Sequence, residues 1–162
     1  MTSITPRKNQ YALRAVFELA KHRGNGPTKI SDIADAQSIP LRFLEVILNQ
    51  LKGSGLIDAK RGFYGGYYLT RPPEHITVAD IMSFMQGRPA RAAQCAVCKA
   101  RVKCPHGNRC AFMAMWNRVD RAILQVYTET TIQDLLDNDR QLQGKKRSSR
   151  KRPIKTRQGR SL

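Results

Sequence analysis

Residues 38–52, SIPLRFLEVILNQLK, decide the fold of this 162-residue chain. Ser38-Ile39 forms a tight corner, and Pro40 is well placed in the first turn of the helix that follows. Leucines recur at three- and four-residue steps, which predicts a buried stripe along that helix. The stripe consists of Leu41, Leu44, Leu48 and Leu51. Polar side chains spaced i, i+3, i+7 and i+10 share the opposite, exposed strip, and these are Arg42, Glu45, Asn49 and Lys52.

Two helices are predicted before this corner, a first from about Arg7 to His22 and a short second one from about Lys29 to Ala36. Two short helices joined by a tight corner, the second with hydrogen-bonding side chains outward, are typical of a helix-turn-helix. The strip alone is also compatible with an ordinary solvated helix face.

A basic, glycine-rich hairpin follows and favours the first interpretation. Residues 56–60 predict one strand, Gly65-Gly66 the turn, and residues 67–69 the returning strand. Arg61, Phe63 and Tyr64 occupy the hairpin tip. The predicted fold is therefore mainly α with a small β-hairpin wing, a winged helix-turn-helix. In such a fold Arg61 can enter an A·T-rich minor groove while the helix strip reads the major groove.

The charge of the chain indicates a polyanionic partner. The formal net charge is +17, and nine positive charges lie after Leu142, where no acidic residue occurs; 17 − 9 leaves +8 on the remainder. Double-stranded DNA is the expected partner. No apolar run reaches the length of a membrane span and no signal peptide is evident, so we expect a cytoplasmic protein. No phosphate loop, catalytic triad or cofactor fingerprint appears, so no enzyme is expected.

All four cysteines fall in one segment, Cys95, Cys98, Cys104 and Cys110. Intracellular cysteines spaced x2, x5 and x5 indicate metal binding rather than disulfides. Neighbouring basic residues favour the thiolate form that binds metals. An iron–sulfur cluster and a structural zinc are both open from the residues alone, although zinc is less well matched because only Cys95 and Cys98 form a short-spaced pair. A metal-free redox loop is the third alternative.

The remaining chain predicts a dimer helix and a basic tail. Thr77-Val-Ala-Asp80 reads as a capping box that opens a helix with Ile81, Phe84 and Met85 packed inward. A long helix is expected from Arg109 to Tyr127, capped by Asn108, and a last short one from Thr131 to Asp137. The long helix has an apolar stripe of Met113, Trp116, Val119, Ile123 and Val126, which favours a homodimer. The predicted division is 1–86 winged domain, 87–110 cysteine loop, 111–140 dimerisation and C-terminal helices, and 141–162 basic disordered tail.

These features together resemble the IscR/NsrR family of winged-helix transcription regulators. The resemblance covers roughly residues 5–138 and is carried by six stretches and three cysteines. They are residues 11–14 (YALR), residues 33–34 (IA), residues 43–45 (FLE), residues 51–57 (LKGSGLI), residues 61–69 (RGFYGGYYL), residues 76–81 (ITVADI), and Cys98, Cys104 and Cys110. The resemblance implies a homodimer that binds operator DNA, usually as a repressor, with an iron–sulfur cluster that tunes the affinity.

By position, the resemblance implies cluster ligands at Cys98, Cys104 and Cys110, a wing contact at Arg61, and base reading by Glu45 with Arg42. Two departures concern the fourth ligand. One branch of the family has a histidine where this chain has Met113, and another has an acidic residue where this chain has residues 8–10, Lys-Asn-Gln. Cys95 is the replacement candidate, ahead of His106. Either a 2Fe-2S or a 4Fe-4S cluster is compatible with thiolate ligands.

Overall fold

The computed structural model describes residues 5–87 and 110–149, with the side chains of the last helix described as far as residue 145. The elements in chain order are α1 (Arg7–Lys21), α2 (Ile30–Gln37), α3 (Leu41–Lys52), β1 (Ile57–Lys60), β2 (Gly66–Leu69), a 3-10 turn (Pro73–His75), α4 (Val78–Gln86), α5 (Met113–Glu129) and α6 (Ile132–Ser149). This arrangement confirms the predicted mainly α fold with a β-hairpin wing.

The corner between α2 and α3 is made by Ser38, whose φ of 49° is left-handed. The Ile39 amide donates to the Ala34 carbonyl over 2.9 Å, and the Ile39 side chain is buried. A left-handed residue followed by a buried apolar one ends a helix sharply. The corner therefore turns α3 across α2, as a helix-turn-helix requires.

The core-facing stripe of α3 begins one turn later than predicted. Leu44, Leu48 and Leu51 are fully buried, but Leu41 is 46% exposed. Leu41 is the first residue of the helix and lies at the edge of the buried face, although Leu44 in the same turn is fully buried. Ile47, which the leucine spacing did not single out, is buried in its place.

The wing is an antiparallel hairpin with Ile57 opposite Leu69 and Lys60 opposite Gly66. Thr28, just before α2, forms a third short pairing with Tyr67, with N–H···O distances of 2.8 and 2.9 Å in the two directions. Gly66 permits this approach, because a Cβ there would lie 2.4 Å from the Thr28 carbonyl oxygen. The wing is thus attached to the helix-turn-helix unit.

Helices α4 and α6 begin side by side. Thr77 and Thr131, which precede them, form a β-bridge, and the Ile132 amide donates to the Ile76 carbonyl over 2.9 Å. Each helix opens with a Thr-x-x-Asp pair; the one at Thr77 and Asp80 is the predicted capping box. At the start of α6, the hydroxyl and the backbone N–H of Thr131 both donate to the exposed Asp134 carboxylate, and these hydrogen bonds lower the pKa of Asp134. That capping therefore operates at neutral pH and is lost as the pH falls through the lowered pKa.

We expect replacement of Thr77 by alanine to lower the free energy of unfolding by about 1 kcal/mol, because an N-cap hydroxyl satisfies a free backbone N–H. Urea denaturation followed by circular dichroism measures the change. Thr128→Ala is the matched control, since the Thr128 hydroxyl donates to the Leu124 carbonyl within α5 and caps nothing. Equal losses in the two variants would contradict the capping role.

Helix α6 completes the core of the winged domain. Its Ile132 and Leu136 are buried in the same cluster as Leu19 of α1 and Ile33 of α2. Helix α4 covers another side of this cluster with Ile81 and Met85, while Phe84 packs half-buried against it, as predicted. The winged domain is therefore built from both ends of the described chain.

The two C-terminal helices differ from their predicted bounds. Helix α5 begins at Met113, with Phe112 as its N-cap, rather than at about Arg109 as predicted; the predicted N-cap, Asn108, lies outside the described residues. Helix α6 runs to Ser149, well past the predicted end at Asp137 and into the stretch predicted to be unfolded. Side-chain pairs one turn apart support its exposed part, with Gln133 donating to Asp137 and Gln143 donating to Asp139. None of the helices among the described residues is long and apolar enough to cross a membrane.

Candidate nucleic-acid interface

The predicted polar strip of α3 lies on the surface. Arg42, Glu45, Asn49 and Lys52 are all exposed, and their spacing places them on one face of the helix. An α-helix fits the major groove of B-DNA, and these side-chain types hydrogen-bond to the edges of the bases. The strip therefore has the composition and position of a recognition surface.

Two apolar side chains share this face and were missed by sequence reasoning. Phe43 is 64% exposed and Val46 is 60% exposed. Val46 follows Arg42 by four residues and precedes Asn49 by three, so it lies between them on the helix surface. The sequence held one signal for this: Val46 is an apolar residue placed one helical turn from both Arg42 and Asn49. The exposed face of α3 is thus partly apolar.

The wing tip presents a cation and two aromatic rings. Arg61 is exposed, and Phe63 and Tyr64 are 82% and 83% exposed. The two rings meet edge to face, with centroids 5.1 Å apart. The Lys29 ammonium lies 5.4 Å from the Phe63 ring centroid, so a second cation adjoins the tip. This combination suits the anionic, narrow minor groove of A·T-rich DNA.

A buried carboxylate supports the helix-turn-helix corner from behind. Glu18 of α1 is 3% exposed and accepts a hydrogen bond from the Gln37 side chain at the end of α2 over 2.5 Å. Arg14 in turn donates to the Gln37 side-chain oxygen over 3.1 Å. Lys21 pairs with the same Glu18 carboxylate at 3.3 Å. The network ties the residue just before the corner to α1, and no periodicity in the sequence indicated it.

Of the four predicted metal ligands, Cys110 alone is among the described residues. It carries a free, half-buried thiol, and its carbonyl accepts from the Met113 amide over 3.1 Å at the start of α5. Cys95, Cys98, Cys104 and His106 lie outside the described residues. Within residues 5–87 and 110–149, no three His, Cys, Asp or Glu side chains come together as a metal site. The predicted ligand set therefore stays a prediction.

Helix α5 leaves much of its apolar surface uncovered. None of its residues is fully buried within the described chain; Trp116, Val119 and Ile123 are half-buried. Met115 and Val126 are 46% and 59% exposed, and Phe112, just before the helix, is 56% exposed. These three are spaced by 3 and 11 residues, close to whole helical turns, so they share one flank. The predicted stripe is therefore divided between a half-buried face and an exposed flank.

The domain is a winged helix-turn-helix, a class of DNA-binding domain. Its defining parts are the corner between α2 and α3, the exposed face of α3, and the hairpin that pairs with Thr28. The chain belongs to the Rrf2 family. The model of that family, described as "Iron-dependent Transcriptional regulator", matches residues 5–138. This confirms the resemblance found in the sequence.

Curated relatives are named as regulators. The "HTH-type transcriptional regulator IscR" of Xenorhabdus nematophila is 30% identical over 156 residues, covering 92% of this chain and 93% of that protein. The protein of the same name from Photorhabdus laumondii is 30% identical over 131 residues, covering 81% and 77%. The relatives are transcription regulators and not enzymes, as predicted for this chain.

Two solved structures show the same fold. CymR, titled the global cysteine regulator of B. subtilis, superposes with a TM-score of 0.68 and 30% identity, covering 85% of this chain and 98% of its own. The IscR of T. potens gives a TM-score of 0.65 and 30% identity, covering 83% and 87%. The chain is thus similar to regulators named for two different systems, and it is a transcriptional regulator of this family.

Proposed function

We propose that this protein is a transcription repressor that binds operator DNA as a homodimer, with an affinity tuned by an iron–sulfur cluster. The observation that carries the DNA-binding part is the exposed face of α3 beside an exposed, cationic wing tip. The Thr28–Tyr67 pairing attaches the wing to the start of α2, and the Glu18–Gln37 hydrogen bond attaches the end of α2 to α1. A rigid scaffold of this kind suits recognition of a fixed DNA shape.

In the proposed complex α3 lies in the major groove and the wing follows the adjacent minor groove. Glu45 accepts a hydrogen bond from a cytosine amino group, Arg42 donates to a guanine, and Asn49 pairs with an adenine. Lys52 contacts a phosphate, and Arg61 enters the minor groove with Tyr64 beside it. The excess of basic residues adds sequence-independent affinity that weakens with salt.

The homodimer rests on the exposed flank of α5. Met115 and Val126 offer an apolar surface on this flank, at 46% and 59% exposure. Contiguous exposed apolar side chains mark interaction surfaces. A second copy is the favoured partner, because helix-turn-helix proteins read paired half-sites as symmetric dimers. Two α5 helices packed together would set the separation of the two α3 helices.

The cluster proposal rests on the chemistry of four cysteines in one segment. The one within the described residues, Cys110, is a free thiol beside the start of α5. Thiolates from Cys95, Cys98, Cys104 and Cys110 would complete the four ligands of a 2Fe-2S or 4Fe-4S cluster. When bound, such a cluster supplies a centre whose state responds to redox conditions, iron or nitric oxide. The alternative is a winged-helix regulator whose cysteines hold structural zinc or no metal. The similarity to CymR, the global cysteine regulator of B. subtilis, supports this alternative.

The cysteine segment joins α4 to α5, and α4 packs on the winged domain while α5 carries the proposed dimer flank. A change in the state of the four cysteines therefore acts on the placement of one recognition helix relative to the other. Coupling between sites of 1–3 kcal/mol changes affinity by roughly 5- to 150-fold. A change of this size is sufficient to switch operator occupancy.

Selection from a random DNA pool, followed by binding measurements on the selected duplex, tests the DNA-binding proposal. We expect Glu45→Ala to raise Kd by roughly 5- to 150-fold, the equivalent of 1–3 kcal/mol for one lost base contact, and to relax the preference at one base pair of each half-site. Glu74→Ala is the matched control, since Glu74 is also exposed but lies in the 3-10 turn. Recovery of no preferred sequence, with wild-type binding equal on all duplexes, would refute the proposal.

A further inference from the structure

We propose that Val46 and Phe43 read the C5-methyl group of thymine, which makes them specificity-determining residues of the α3 face. This inference rests on the proposed DNA-binding function and adds an apolar contact to it. The observation that carries it is the high exposure of both side chains, 60% for Val46 and 64% for Phe43, next to a polar recognition strip. Neither side chain takes part in the core clusters of the described residues.

The positions of the two residues favour a common contact. Val46 lies between Arg42 and Asn49, at the centre of the exposed face, and Phe43 lies one turn before Val46 on its flank. Side chains three residues apart on a helix have Cβ atoms about 5–6 Å apart. Val46 and Phe43 can therefore form one continuous apolar surface beside the hydrogen-bonding groups. That surface faces whatever the polar strip faces.

The chemistry of the major groove identifies the contact. Base edges in this groove present hydrogen-bond donors and acceptors, and the only apolar group among them is the thymine methyl. Valine and phenylalanine gain nothing against a polar edge, but they gain by removing a methyl group from water. The pair therefore favours thymine beside the bases that Arg42 and Asn49 read. The polar strip and the apolar pair together specify a mixed sequence rather than a uniformly G·C-rich one.

A competing occupant for these side chains is a second protein. The described chain already offers a separate uncovered apolar flank on α5 for a second copy. The α3 pair is small and Val46 adjoins Arg42 and Asn49 on the helix surface, side chains that suit base edges better than an apolar interface. DNA is thus the occupant that fits the whole face.

Substitution of 2′-deoxyuridine for thymidine tests the inference directly, because uracil pairs as thymine does and lacks only the methyl group. The duplex selected by the full-length protein is rebuilt with uracil at each thymine position in turn. We expect a loss of about fourfold in affinity at one or two positions per half-site, the factor that corresponds to about 0.8 kcal/mol for one buried methyl-sized group. Other thymines should be replaceable without effect.

Variants assign the effect to the two side chains. With Val46→Ala, and separately Phe43→Ala, the ratio of Kd on the uracil duplex to Kd on the thymine duplex should fall to about one at the position that each reads. Leu142→Ala is the matched control, because Leu142 is an apolar residue 54% exposed on α6, and its ratio should stay as in the wild type. Thermal denaturation of each variant verifies that it is folded.

The outcomes are distinguishable. A preferred sequence with no thymine position sensitive to uracil overturns this inference and leaves the DNA-binding proposal standing. Sensitivity that persists unchanged in both Val46→Ala and Phe43→Ala also overturns it, because other residues then read the methyl. Failure to select any preferred sequence overturns the proposed function itself.

Discussion

Val126→Glu is expected to convert the protein from a dimer to a monomer and to weaken operator binding by about a hundredfold or more. A monomer binds one half-site at a time, so it lacks the added affinity that a dimer gains from binding two half-sites together. Val126 is 59% exposed on the apolar flank of α5. A carboxylate at this position would have to be desolvated against the partner's apolar side chains. Analytical ultracentrifugation measures the oligomeric state, and electrophoretic mobility shift on a two-half-site duplex measures the affinity.

Asn117→Glu provides the matched control, since Asn117 is exposed on α5 and lies nine residues from Val126, half a helical turn away from its face. It introduces the same carboxylate on the opposite side of the same helix, so the dimer and the operator affinity should be retained. A Val126→Glu protein that stays dimeric would place the subunit contact elsewhere. A wild-type protein that is monomeric at all concentrations would exclude the homodimer.

Single replacements of Cys98, Cys104 and Cys110 by serine should each abolish the visible absorption and the iron content of protein purified without air. Serine is a poor ligand for these clusters, which are held by thiolates. The same result is expected for Cys95→Ser if Cys95 supplies the fourth ligand. Operator affinity should then change by roughly 5- to 150-fold relative to the loaded wild type. Absorption, EPR and metal analysis on the same sample separate an iron–sulfur cluster from zinc.

The control for this series is His106→Ala, which should leave the spectrum unchanged because in the proposed ligand set the four cysteines complete the coordination. If His106→Ala loses the spectrum while Cys95→Ser retains it, the fourth ligand is His106 and not Cys95. Colourless wild-type protein with one equivalent of zinc would favour the structural-metal alternative. Equal operator affinity of cluster-loaded and cluster-free protein would refute cluster sensing.

The helix-turn-helix and the wing were predictable because their signals are local. Pro40 and the leucine spacing predicted α3, and Gly65-Gly66 predicted the hairpin turn. The capping box at Thr77 and Asp80 was equally predictable from the sequence, since both partners lie within one helical turn. The exposed strip followed from the same periodicity. In each case the residues that decide the structure are neighbours in the chain.

The features that were missed depend on contacts between distant parts of the chain or on where a helix ends against solvent. The hydrogen bond between Glu18 and Gln37 and the pairing of Thr28 with Tyr67 are non-local and leave no periodic trace. Leu41 fits the buried stripe by spacing, yet it is 46% exposed at the first position of α3. Helix α6 continues through Gly144, a residue that normally weakens helices. The exposure of Phe43 and Val46 required the orientation of α3.

The side-by-side start of α4 and α6 has a consequence for how such regulators can diverge. Because Ile132 and Leu136 complete the core that α1 and α2 begin, an exchange of everything after α4 between relatives would replace part of the DNA-binding domain's own interior. An exchange confined to residues 88–110, which include all four cysteines, would leave every described core position intact. Under the proposed function, relatives could therefore exchange the internal cysteine segment and acquire a new signal while the α3 face that reads the target sequence is retained.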